Sequence, residues 1–293
     1  MKEKNDFLAD FFLKKRKTLL RGTFWFALTA VIVLVISIIP ERKQDFIAKV
    51  YINDIILNNE DLFKKLDGLK DENNLKGILV NVNSPGGTVV GSQKIYEKLK
   101  KLGKKIPVAV SMQEVAASGG YMVSLAGDRI FCHRGTITGS IGVILQSVSI
   151  QNLLERLGVD PLLIKSGKMK ASPNPLEKVD EETKSKILPL VNDMYQDFLS
   201  LVIQSRTLNE KSIEVISDGS VFTGNQAIKL NLVDSIGDES DALEWLKQKA
   251  NLKSDIKVID IEETKDIFNF FDFSNKKLKN FNGFFALWTP YYE

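Results

Sequence analysis

The amino-acid sequence predicts an α/β fold whose core strands run parallel. Two observations carry that prediction. From residue 46 to about residue 261, short β-branched runs alternate with amphipathic stretches, the pattern of strands joined by helical crossovers. The chain also has 293 residues, 44% of them apolar and 26% charged, enough to bury the core of one large domain or two modest ones.

In chain order, "KVYIND", "GILVNVN", "IPVAVSM", "DRIFCH" and "IGVILQSV" read as strands, because each is short, apolar and rich in β-branched residues. Between and after them, 60–69, 91–102 and 150–157 carry apolar residues at helical spacing. A longer helical zone, about 181–205, places Leu188, Val191, Tyr195, Phe198 and Val202 three and four residues apart, and Pro189 either kinks it or starts a new helix. Its apolar face needs a partner. From 262 to 293 the chain is aromatic, rich in Asn and Lys and without clean periodicity, and no segment repeats. Phe270, Phe271, Phe284, Phe285 and Trp288 there suit docking on a neighbouring protomer or at a membrane interface, with disorder as the competing reading.

The N-terminus differs from the rest. Residues 24–39, "FWFALTAVIVLVISII", are apolar apart from Thr29 and Ser37. Counted from Gly22 to Pro40, a helix there spans roughly 28 Å at about 1.5 Å per residue, which matches a bilayer core. Lys14, Lys15, Arg16, Lys17 and Arg21 precede it, so the positive-inside rule keeps residues 1–21 in the cytoplasm and sends the remainder across the membrane. A cleaved signal peptide is the alternative. Against it, the apolar run is long and "SIIPERKQ" offers no small-x-small cleavage site, so 22–40 is read as an uncleaved signal anchor in the inner (cytoplasmic) membrane.

Composition removes several function classes. A single cysteine, Cys132, rules out an intramolecular disulfide and a multi-cysteine metal site, and a single histidine, His133, rules out a histidine cluster and leaves little room for a Ser-His-Asp triad. A net charge of +3 from 40 basic and 37 acidic residues gives no reason to expect nucleic acid as a partner. Cys132 and His133 read as structural residues at a strand end.

Three places carry possible chemistry. "NVNSPGG", 81–87, is a strand end running into a Pro-Gly-Gly turn; it is either a plain βα turn or a place where side-chain-free amides face an oxyanion. Ser118, after the strand "PVAVSM" and among alanines and glycines, is either a helix N-cap or a nucleophile on a strand-to-helix turn. "KSGKMKASPNP", 165–175, holds three lysines, usually a solvated loop. A lysine nonetheless activates serine once desolvated; moving its pKa from about 10.4 to about 7.5 takes about 4 kcal/mol, which burial supplies.

Taken together, "NSPGG", "AASGGYMVSLAGDRI", "TGSIGVI", "SGKMKASPNP" and "VFTGNQAIKLNLVDSIGD" occur in the order and spacing of the signal peptide peptidase A (SppA) family of membrane-anchored serine proteases, which the chain resembles over about residues 46–250. The resemblance implies an α/β, Clp protease/crotonase-like fold behind an N-terminal transmembrane helix. It implies Ser118 as nucleophile and Lys170, rather than Lys165 or Lys168, as general base. Gly86 and Gly87 would line the oxyanion hole with the Gly119 amide, and Ser140 would steady the lysine amine, with Thr138 a weaker candidate. No metal or organic cofactor is required. The implied partners are short hydrophobic peptides such as signal-peptide remnants, the bilayer through 22–40, and further copies of the chain in a homo-oligomer. A protomer of this length fits the short, single-repeat form.

The chain departs from the family at Asn231, where Gly is common in "GLVD"; Asn tolerates a left-handed turn, so the change reads as structural. Of two rivals, an acyl-CoA enzyme of the crotonase kind has no use for a Ser-Lys dyad behind a signal anchor. A catalytically inactive membrane scaffold of the same fold is harder to separate, because sequence does not show whether Lys170 is neutral. The specificity pocket is expected from 88–90 and the loops around Ser118 and Ser140.

Overall fold

The computed structural model describes residues 44–261 and Phe285–Leu287, and before them only Thr23, Trp25 and Thr29. The chain divides into two compact units, Met1–Gln44 and Asp45–Glu293; the second is the α/β body. The expected basic segment 1–21, nearly all of the expected anchor 22–40 and most of the tail 262–293 lie outside the described residues. Among the described residues, no helix is long and apolar enough to cross a membrane.

One sheet organises the body. Its strands are β1 (Phe46–Ile56), β2 (Leu75–Thr88), β3 (Val108–Ala117), β4 (Arg129–Cys132), β5 (Ile137–Gly139), β6 (Val221–Thr223), β7 (Ser235–Ile236), β8 (Lys257–Ile261) and β9 (Phe285–Leu287). They lie in the order β6-β5-β3-β2-β1-β8, with β4 also on β3 and β7, and β9 on β2. The central pairs β1 with β2, β2 with β3 and β1 with β8 are parallel, while β5 with β6 and β2 with β9 are antiparallel. The near-continuous apolar runs of β1 to β3 have this cause: both faces of the central sheet are covered.

The two faces separate by the two-residue period of a strand. Ile47, Leu79, Ala109 and Phe131 turn to one face, under Ala242 and Leu246 of a helix at Glu239–Lys249. Ala48, Val50, Ile78, Val80, Val108 and Val110 turn to the other. That larger core is closed by α1 (Glu60–Gly68), α2 (Val89–Gly103), α3 (Gly119–Ser124) and α5 (Glu181–Ser205), which bring Leu62, Ile95, Met122, Phe198 and Val202 onto it. The remaining helices are α4 (Gln151–Arg156), α6 (Glu210–Ile216), α7 (Gly224–Lys229) and α8, the Glu239–Lys249 helix. Helix starts fall where short polar side chains take up free amides: Leu62 N donates to Asn59, Gly91 N to Thr88 and Thr183 N to Asp180.

Three expectations change. The strand expected over "IGVILQSV" does not form beyond a single bridge at Ile144; β5 lies just before it, and Ile144 and Val148 are exposed. The helix 181–205 is one element running through Pro189, neither ended nor restarted there. Nor does β2 stop at the Pro-Gly-Gly sequence. A bulge in β2, where Ser84 and Pro85 oppose the single residue Asp54 at φ 59°, shifts the register so that Gly86 and Gly87 still pair with Ile55 and Ile56.

Candidate active site

Ser118 stands between the last residue of β3 and the first of α3. Its backbone is at φ 52°, ψ −116°, and its side chain makes no capping hydrogen bond, so the helix-cap reading does not account for it. The residue is held by its main chain instead: Ser118 N donates to Gly139 O at 2.8 Å, and Met122 N donates to Ser118 O at 2.9 Å. A non-glycine residue at positive φ costs about 1–3 kcal/mol and persists only where its surroundings impose it. A serine on such a strand-to-helix turn has its hydroxyl pushed out of the helix, the geometry of a nucleophile elbow.

The glycines explain how closely this turn meets β2. A side chain on Gly119 would begin 3.2 Å from both Gly86 Cα and Gly87 N and 2.3 Å from Ser92 Oγ; one on Gly120 would begin 2.5 Å from Ser84 O. Gly86 has φ 107°, open to glycine and little else. The start of α3 is therefore seated directly on the Pro-Gly-Gly segment, and the Gly119 and Gly87 amides come together beside Ser118.

Ser84 is a residue that sequence reasoning passed over although it lies inside the quoted motif. Fully buried, it donates from Oγ to Asp54 O at 2.5 Å and accepts there from Gly86 N at 3.1 Å. Its hydroxyl links Asp54 of β1, opposite the bulge, to the glycine turn. It also occupies the Gly86 N–H, so of the two glycine amides it is that of Gly87 which is left for the cleft.

Ser140 and Thr138 are brought to the same place. Ala117 pairs with Gly139 across β3 and β5, which sets Ser140 next to Ser118; Ser140 has φ 51° and is fixed by its amide on Ser220 O at 2.8 Å. Thr138 is buried and spends its hydroxyl on Ala116 O at 2.7 Å, a role within the sheet.

The lysine segment lies on the surface. Lys165 Nζ pairs with Glu177 and donates to Ser172 Oγ at 3.3 Å, and this lysine holds the Glu177 carboxyl below the usual range. Lys168 pairs with Glu182 and with Asp180 at 3.1 Å, in that order the causes that raise its own pKa. Lys170 is exposed in a turn, its amide on Gly167 O at 3.0 Å. Among the described residues it makes no carboxylate pair and no hydrogen bond to Ser118. The chain thus brings together Ser118, Gly119, Gly86, Gly87 and Ser140, while Lys170 is exposed and is not hydrogen-bonded to Ser118 among the described residues.

Beside α3, between α2 and α5, opens a cleft of about 860 Å³ lined by Val89, Val90, Tyr96, Met122, Phe198 and Leu201 among others. Met122 is one turn on from Ser118, so this apolar space lies close behind the turn. Ser140 does not line it. Of the residues read as structural, Cys132 is buried, and burial pushes its thiol up to about 11. Asn231 sits at φ 58°, a left-handed position.

A serine on a strained strand-to-helix turn, whose following glycine packs on the glycines of a neighbouring strand, is an arrangement that serine hydrolases use. The chain belongs to Peptidase family S49, whose family model matches residues 100–253. It is 37% identical over 233 residues to a protein of Methanocaldococcus jannaschii named as a protease, covering 79% of this chain and 71% of that one. It is 37% identical to a protein of Enterococcus faecium named signal peptide peptidase SppA, over 67% of this chain and 57% of the relative. Among solved structures, a ClpP1 mutant of Listeria monocytogenes overlays with a TM-score of 0.44 at 20% identity, covering 67% of this chain and 94% of the other.

Proposed function

We propose that this chain is a membrane-anchored serine endopeptidase with a Clp protease/crotonase-like fold that cuts signal-peptide remnants or other short hydrophobic peptides at the membrane, with Ser118 as nucleophile and Lys170 as general base. The observation that carries this reading is the Ser118 turn set against Gly87 and Gly119. Neutral Lys170 takes the Ser118 proton as Oγ attacks the peptide carbonyl. The Gly87 and Gly119 amides stabilise the oxyanion, the C–N bond breaks with the proton passing to the leaving amine, and water activated by the same lysine hydrolyses the acyl-enzyme. Lys165 and Lys168 are tied to carboxylates, and those on Lys168 raise its pKa; that favours Lys170 as the base. Ser140 steadies the amine. The apolar cleft behind Met122 suits small aliphatic side chains of the substrate. The sequence at 22–40 supports the anchor, and exposed Leu162 and Ile164 support a homo-oligomer that covers them.

A second reading, an inactive scaffold of the same fold, has one observation in its favour, the exposure of Lys170. The two separate in one experiment. The full chain in detergent is assayed on a hydrophobic signal-peptide-like substrate from about pH 6 to about pH 10, beside Ser118→Ala, Lys170→Ala, Lys165→Ala and Lys168→Ala. The dyad predicts wild-type activity that rises with pH as the base loses its proton, losses of about a thousandfold or more for the first two variants, and activity within a few-fold of wild type for the last two. Equal activity in all five discards the dyad; a folded, assembled and inactive wild type leaves the scaffold.

A further inference from the structure

We propose that Asn83, together with Thr136, is a positioning residue: the two side chains pin a bulge of two extra residues in β3 that sets Ser118 level with the glycine turn. The consequence for cleavage rests on the peptidase reading, and the placement rests on strand register. From Ile78 opposite Val108 to Val82 opposite Met112, β2 and β3 run in plain register. The next pair is Ser84 opposite Ala116, so Gln113, Glu114 and Val115 stand against the single residue Asn83. Carried on without that bulge, the earlier register would set Ala116 opposite Gly86 and Ser118 opposite Thr88, beyond both glycines. Two extra residues draw the end of β3 back by about 6.6 Å. Ser118 then falls level with Gly86, and Gly119 comes to lie on Gly86 and Gly87. Because the insertion is of two residues and not one, each side chain keeps its face of the sheet: Ala116 joins Val108, Val110 and Met112 in the larger core.

A bulge leaves backbone groups outside the ladder, and here side chains take them up on both edges of β3. On the β2 side, Val115 N donates to Asn83 Oδ1 at 3.2 Å. On the other side β3 changes neighbour, from β4, as far as Met112 opposite Cys132, to β5, from Val115 opposite Ile137. The buried Thr136 stands in that gap. Its hydroxyl donates to Gln113 O at 2.6 Å and accepts from His133 N at 3.0 Å. Ser118 follows three residues after Val115, and its own amide is held on β5 by Gly139 O. Whatever fixes the length of chain spent in the bulge therefore fixes where the nucleophile stands, and Asn83 and Thr136 act on it through the backbone of 113–118.

The test uses the full chain in detergent and sets each deletion beside a conservative partner. Asn83→Ala and Thr136→Val remove the acceptor and the hydroxyl, while Asn83→Asp and Thr136→Ser keep an oxygen in place. Hydrogen exchange of the segment 113–118 is expected to quicken about tenfold or more in the two deletions, with 108–112 unchanged, and to stay within about twofold of wild type in the conservative pair. On the hydrophobic peptide, with rates expressed per folded chain from each variant's unfolding curve, the deletions are expected to lower kcat about a hundredfold, since a displacement of about 1 Å at a reacting group carries a loss of that order. KM is expected to stay within about threefold, and the conservative variants to recover most of kcat. Asn83→Ala combined with Thr136→Val is expected to lose little more than either alone, because both hold one bulge. Unchanged kcat in the deletions, a loss carried by KM, a loss that the conservative variants do not restore, or exchange of 113–118 at the wild-type rate overturns the proposal. If the wild type itself cleaves nothing, the peptidase reading fails, and the exchange of 113–118 alone upholds or overturns the placement of Ser118.

Discussion

Ser84 shows how little chemistry need touch substrate to shape a site. Its hydroxyl bridges Asp54 O and Gly86 N, so removing it leaves the buried Gly86 amide short of that partner, a loss of about 1–3 kcal/mol. Ser84→Ala is therefore expected to lower unfolding free energy by that amount in denaturant titration, and to lower kcat by about tenfold or more with KM changed little, since the Gly87 amide acts on the transition state. An unchanged kcat would separate the hydroxyl from the site. Ser118 was legible in the sequence as a hydroxyl among small residues at a strand-to-helix junction. Ser84 was not, because its role depends on the carbonyl of Asp54, thirty residues earlier in the chain, and nothing local announces that the two meet. For Lys170 the sequence offers spacing within a lysine-rich segment, and its exposed place in the structure adds no hydrogen bond to Ser118 among the described residues.

At the scale of elements, legibility followed burial. β1 to β3 are buried on both faces and so write themselves as apolar, β-branched runs; "IGVILQSV" has a similar composition yet buries only Ile141 and Val143 and leaves Ile144 and Val148 exposed, since periodicity records apolar character and not what lies alongside. β9 left no periodic signal, being only three residues long. The junction before α5 is held by charge. Asp180 accepts from Thr183 N at 2.8 Å and pairs with Lys168 at 3.1 Å, and these bonds, Thr183's first, hold its carboxyl well below its ordinary value of 3.8. Glu177 is lowered in the same sense by Lys165. A carboxyl with a depressed folded pKa stabilises fully above its ordinary value, and that contribution drains away as pH falls below it. The segment 165–182 is therefore expected to lose hydrogen-exchange protection on acidification below about pH 4, while the sheet amides keep theirs. Asp180→Asn retains a capping oxygen but abolishes the Lys168 pair, so its protection is expected to be lower at neutral pH and to change less with acid. A wild-type segment whose exchange is flat through that range would show that these pairs hold nothing.

For the whole molecule, the exposed apolar residues bear on assembly. Leu162 is 85% exposed and Ile164 90%, with Leu153 and Leu157 exposed in the preceding stretch, all on the stretch that leads into the lysine segment. Patches of this kind on a soluble body are uncommon unless something covers them, and the proposed homo-oligomer supplies a cover of matching chemistry, since each copy brings the same surface. If assembly covers them, it also removes water from the neighbourhood of Lys170, the condition under which a lysine amine gives up its proton near neutral pH. Both effects are lost together when charge is placed on the patch. Leu162→Lys with Ile164→Lys is expected to convert the oligomer to a monomer in sedimentation, at unchanged circular dichroism because neither side chain is packed in the single chain. Peptide cleavage is expected to fall about a hundredfold or more. A variant that stays assembled, or a monomer as active as wild type, would detach the exposed patch from catalysis and return the problem to what the single chain does alone.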